Sequence, residues 1–229
     1  MENRREQAAR LVLFMLIMIL PLKAQNYESE PFRRLNSNAA FTISAPLGQT
    51  ATYSTVGWGV VYGAGYNFSR HHSLVGEFMW NSLIPSDAAL APIRAQLQYN
   101  SINGHGNLVA LTGNYRLNVE GRVYGAYFIG GGGLYYRNAS LSQTIAVGNS
   151  VNCTPAWLWW GFSCTSGTVT ANQNLTGSSS TVFGGNVGIG FTVRLPDSGY
   201  KFYIESRYHY APTKGVHTQV MPISIGIRF

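Results

Sequence analysis

The sequence predicts an all-β protein, an eight-stranded antiparallel up-and-down transmembrane barrel, on three observations. In the closing segment, Met221, Ile223, Ile225, Ile227 and Phe229 share one face by the two-residue period of a strand, and Pro222, Ser224, Gly226 and Arg228 share the other. In Gly57 to Phe68 bulky side chains (Trp58, Val60, Tyr62, Ala64, Tyr66, Phe68) alternate with glycines, and neither face carries a charge. Between the strand-like segments, long connections alternate with tight ones, the asymmetry of a membrane barrel.

Composition narrows the alternatives. Charged residues make up 11% of the 229 residues, with 26 Gly and 14 Tyr; a soluble domain carries about twice that charge. No segment after the first 24 residues holds 18 consecutive apolar residues, so a helical membrane protein is excluded. A secreted all-β chain remains, either soluble or closed in a membrane.

Arg4, Arg5 and Arg10 precede an apolar run from Leu11 to Leu20 and then Pro21-Leu22-Lys23-Ala24, which reads as a cleaved signal peptide over residues 1–24. Lys23 so near the cut leaves a retained anchor as the alternative. Residues 25–38 are expected to be a polar periplasmic lead-in, and 39–229 the barrel domain. Cleavage removes four basic and two acidic residues and leaves a net charge of about +5. That charge is scattered, without the clustered stripe that nucleic-acid binding needs.

The strands follow in order. Ala39 to Ala45 alternates weakly and stops at Pro46; Gly57 to Phe68 and Leu74 to Trp80 form a tight hairpin through Ser69-Arg70-His71-His72. After a polar stretch from Asn81 to Gly104, a strand runs from His105 to Leu117, followed by a turn over Asn118 to Gly121. Arg122 to Arg137 is aromatic and glycine-rich, a strand whose register the pattern leaves open. Asn138 to Ser180 is rich in Ser, Thr, Asn and Gly and reads as the longest loop. Strands return at Thr181 to Leu195, at Tyr200 to Tyr210, and at the C-terminal segment. With eight strands, both chain ends fall on the short-turn side, the periplasm for a protein inserted from within.

The mature chain resembles the outer-membrane protein beta-barrel family of the OmpA/OmpX type. The resemblance rests on Gly57-Trp58-Gly59-Val60 through Gly65-Tyr66-Asn67-Phe68, on Phe202-Tyr203-Ile204-Glu205-Ser206-Arg207-Tyr208, and on Met221 to Phe229. It implies residence in the bacterial outer membrane, with membrane lipids and lipopolysaccharide as surroundings. It also implies that the final strand, through Ile223, Ile225, Ile227 and Phe229, is read by the barrel assembly machinery. The peptidoglycan-binding domain that some relatives carry after the barrel is not present in this sequence.

Alternation places Tyr203, Glu205, Arg207 and His209 on the lumenal face of their strand, and other strands offer Glu77, Asn114, Arg116 and Arg194. A lumenal network of Glu77, Asn114, Arg116, Arg194, Glu205 and Arg207 is expected, because a barrel of eight strands is just wide enough to be filled by side chains. Such a network plugs the barrel; a narrow channel is the alternative. A lipid A-modifying enzyme is less favoured: Glu205 and His209 share a face, but no serine stands two residues after His209.

His105, His209 and His217 fall near outer strand ends, yet with no acidic or cysteine ligand beside them they are not read as a metal site. The run Gly130 to Gly133 lacks the Lys-Ser/Thr of a phosphate loop, and no cofactor is implied. It lets the strand bend or lets bulky neighbours pack. Cys153 and Cys164, the only cysteines, lie in the longest loop of an exported chain, where a disulfide is expected. It would close a small loop around Trp157, Trp159 and Trp160, a cluster suited to the membrane interface or to a surface ligand. The expected role is structural or surface interaction by a monomer.

Overall fold

Eight strands close on themselves in sequence order, every neighbouring pair antiparallel and β8 returning to β1. The computed structural model describes residues 32–97, 102–157, 160–196, 198–213 and 215–229, with the side chains of 97 and 144–172 not described. The expected signal peptide and the first half of the lead-in, through residue 31, lie outside the described residues.

The strands are β1 (Leu35–Pro46), β2 (Gly57–Asn67), β3 (His72–Leu83), β4 (Ile102–Glu120), β5 (Tyr124–Trp157), β6 (Trp160–Arg194), β7 (Lys201–Ala211) and β8 (Thr218–Arg228). β1 starts four residues before the expected Ala39. Asn36 and Asn38 turn inward there, and two asparagines gave no apolar face from which to read a strand.

The connection between β1 and β2 and the polar stretch after β3 each hold a helix, α1 (Gly48–Tyr53) and α2 (Asp87–Leu97). Ser86 caps α2, its Oγ accepting the Ala89 N–H at 3.2 Å. The connections are cross-tied: Ser86 N–H donates to Tyr53 O at 3.0 Å, and Ser86 Oγ to Thr52 O at 2.7 Å. Thr50 Oγ1 donates to His217 O at 2.9 Å and accepts the Gln219 N–H at 2.8 Å, which seats α1 on the start of β8.

The largest departure from expectation concerns residues 138–180. They are not a loop. β5 and β6 stay paired from Asn138↔Ser179 to Trp157↔Trp160, with shifts at Leu141/Ser142 and Ala146/Gly148; β4 flanks β5 as far as Ile102↔Gln143, and beyond that pair the two strands run on as a ribbon of their own. Ser, Thr and Asn favour turns locally, but directly opposed Thr and Ser side chains also support a ladder. Composition alone could not distinguish the two.

The wall sorts its side chains by solvent. Phe41, Trp58, Tyr62, Phe78, Leu111, Phe128, Phe183, Ile204 and Ile225 are exposed on the outside. Inside, β3 buries Ser73, Val75, Glu77, Met79, Asn81 and Leu83 in strict alternation. β5 has the register that its sequence left open: Tyr127, Ile129 and Tyr135 point in, Phe128, Leu134 and Tyr136 out. Gly132 accepts the rim of a neighbour, since a Cβ there would stand 3.3 Å from Phe183 Cζ.

The interior is filled by side chains of both kinds. Toward the long-loop end Met79, Leu83, Leu108, Tyr135, Ala211 and Val220 are buried together with the polar Ser44, Asn81 and Thr218. The buried acidic and guanidinium groups Glu77, Glu205, Arg116, Arg207 and Arg228 lie toward the short-turn end.

Candidate functional site

Glu77 on β3 and Glu205 on β7 face one another across the short-turn half of the lumen with Arg207 between them. Arg207 Nη1 donates to Glu77 Oε2 and Nη2 to Glu205 Oε1, each at 2.5 Å, and all three side chains are buried. Removed from water, each carboxylate needs further donors. Glu77 takes the amides of Asn114 (2.7 Å) and Asn38 (3.3 Å), and Glu205 takes the Tyr127 hydroxyl at 2.9 Å. Asn114 is itself held by Asn186, whose Nδ2 donates to its Oδ1 at 2.9 Å.

Arg116 reaches across from β4 to β1 and donates to Asn36 Oδ1 at 3.2 Å. Arg228 from β8 lies over the rings of Tyr127 and Tyr203, 4.5 and 5.3 Å from their centroids. Close approach of these large groups depends on glycines opposite them. A Cβ at Gly190 would meet the Tyr127 ring at 2.2 Å, and one at Gly63 would meet Asn38 Oδ1 at 2.4 Å and Glu77 Cγ at 2.8 Å.

Of the expected lumenal residues, Glu77, Asn114, Arg116, Glu205 and Arg207 are therefore gathered in one network. Arg194, the last residue of β6, is half-buried at the short-turn rim, where it lines a small recess with Glu120 and Lys201. Sequence reading left out Asn36, Asn38, Tyr127, Asn186 and Arg228. Arg228 was legible from alternation in β8; Tyr127 needed the register of β5.

The three histidines do not converge. His209 is buried in the lumen, its Nδ1 2.8 Å from the Tyr135 hydroxyl; His217 packs on Tyr210; His105 is exposed. Among the described residues no group of three or more metal-ligating side chains forms. At the start of β3, His72 Nδ1 contacts the Tyr115 hydroxyl.

The other distinctive surface is the β5–β6 ribbon. Between Arg137 and Arg194 the chain has no acidic, basic or histidine residue. Backbone register sets Cys153 directly opposite Cys164; their side chains lie outside the described residues.

A closed antiparallel barrel with an apolar exterior and a filled polar interior defines the transmembrane-barrel class. No family model matches the chain, and no curated protein matches it. It is similar to solved structures of Ail, the attachment invasion locus protein of Yersinia pestis, crystallised with the heparin analogue sucrose octasulfate (13% identity, 85% of this chain and 97% of that one, TM-score 0.46). It is likewise similar to Neisserial surface protein A (13%, 85% and 94%, 0.46) and to the N-terminal β-barrel domain of Pseudomonas aeruginosa OprF (13%, 86% and 98%, 0.40).

Proposed function

We propose that this protein is an integral outer-membrane barrel that acts through surface interaction at its long-loop end, without chemistry of its own. The β5–β6 ribbon is the interacting element. One observation carries the reading: a barrel with hydrocarbon-compatible walls and a packed interior extends two of its strands well past the wall as an uncharged hairpin. At about 3.3 Å per residue, the segment from Thr144 to Trp157, beyond the last pairing with β4, reaches up to roughly 45 Å along its strand. Lacking charge, it suits a neutral ligand such as a glycan or an uncharged protein surface better than a sulfated polymer.

In this reading lipid and lipopolysaccharide surround the wall, the assembly machinery recognises the outward Ile223, Ile225, Ile227 and Phe229, and a Cys153–Cys164 disulfide fixes the tip. A filled lumen disfavours the channel reading. Gln143 and Gln173 are cross-strand partners, so residues 144–172 can be replaced by an Asn-Gly turn. Cells displaying the shortened protein should keep a folded barrel in the membrane fraction and lose retention on panels of immobilised neutral glycans and matrix proteins. Unchanged retention contradicts the proposal.

A further inference from the structure

The charges buried in the lumen do not cancel. Among the described residues they are Glu77, Glu205, Arg116, Arg207 and Arg228, two carboxylates against three guanidiniums. Arg207 is engaged by both carboxylates. Arg116 and Arg228 make no ion pair among the described residues, although Glu77 and Glu205 attract Arg116 through the lumen.

These two guanidiniums share the short-turn end. Both lie over the Tyr127 ring, at 5.8 and 4.5 Å from its centroid, and they repel one another. They are 2% and 7% exposed, and the Nε of each has no acceptor. The rings of Tyr127 and Tyr203 offset part of the positive charge, but neither carries a formal counter-charge. Phe229 turns its side chain outward, and its O accepts the Ser37 N–H on the ladder to β1 at 3.4 Å.

A buried charge without an ionic partner is costly, and a buried donor without an acceptor adds to the cost. We propose that a small monovalent inorganic anion, of the chloride kind, binds between Arg116 and Arg228 at the short-turn end of the lumen. One such anion neutralises the excess and gives the two Nε donors an acceptor. The filled interior above it restricts the site to a small ion and keeps that ion from passing through.

The test uses the full mature barrel folded in detergent, free of halide, at fixed ionic strength with gluconate as the replaced anion. Chloride should raise the urea midpoint saturably, and the rise should be lost in Arg228→Gln and Arg116→Gln. Crystals of the unaltered protein grown in bromide should show an anomalous peak in contact with both guanidiniums. Equal midpoints in chloride and gluconate, a wild-type response in both variants, or no bromide peak at that position overturns the proposal. Where a variant does not fold, the diffraction result decides.

Discussion

Arg207 clamps Glu77 and Glu205 at once, donating from Nη1 to one and from Nη2 to the other at 2.5 Å. The clamp joins β3 to β7 across the barrel, and it is buried at both ends. Replacing Arg207 with Met leaves two carboxylates facing one another without their cation. The expected cost is about 3–5 kcal/mol, read as a lower urea midpoint in detergent. Adding Glu77→Gln and Glu205→Gln to Arg207→Met should recover much of that loss, because the repulsion goes with the charges.

The exterior is a depth gauge. Ile225 sits mid-wall, between Phe41 on β1 and Ile204 on β7, whereas Val119 stands near the short-turn end of β4. Ile225→Arg should cost about 2–4 kcal/mol in a bilayer and Val119→Arg about 0–1. Equal costs in unfolding titrations from phospholipid vesicles would count against a membrane-spanning wall.

Gly190 faces the Tyr127 ring at a distance that admits no side chain. Gly190→Val should destabilise the barrel by about 1–3 kcal/mol through overpacking. Gly113, on the outer wall with nothing within 4 Å of its Cβ position, should accept Ala at far less cost in the same titration.

The interior is filled along its length and should pass no ions. Planar bilayers containing the protein are expected to show no unitary current, and Glu205→Ala together with Arg207→Ala should leave the packed residues nearer the long-loop end, Met79, Leu83, Leu108 and Asn81 among them, as a block. Steady single-channel steps from the unaltered protein would revive the channel reading.

Cross-strand placement of Cys153 and Cys164 predicts that neither reacts with a thiol reagent until a reductant is added. Reduction should expose the hairpin tip to protease and leave the barrel intact, since in the chain-entropy model a short closed loop contributes about 3 kcal/mol, here confined to the ribbon.

Legibility in the sequence followed the contrast between a strand's two faces. Gly57 to Phe68, Leu74 to Trp80 and the C-terminal strand set bulky residues against small or charged ones, so their inward and outward positions could be read directly. Where both faces are alike, the pattern was silent: Asn36 and Asn38 hid the start of β1, and the Ser/Thr/Asn content of 138–180 concealed a ribbon set by pairing across strands. α2 left a local trace in Ser86-Asp87, a cap and a first-turn acid, which the polar and proline-containing surroundings obscured. The lumenal partners Glu77, Glu205 and Arg207 followed from alternation alone. That one arginine holds both carboxylates depends on closure, which brings β3 opposite β7.

Contact between the wall and hydrocarbon can be measured directly. Trp58 and Trp80 pack edge to face on the outer wall, 5.2 Å between ring centroids. A variant with Trp157, Trp159 and Trp160 changed to Phe leaves these two as its fluorophores. In vesicles of lipids brominated along the acyl chain their emission should be strongly quenched, while aqueous iodide should have little effect. Iodide quenching with no loss of emission in the brominated lipid would place the wall in water and contradict a membrane-embedded barrel.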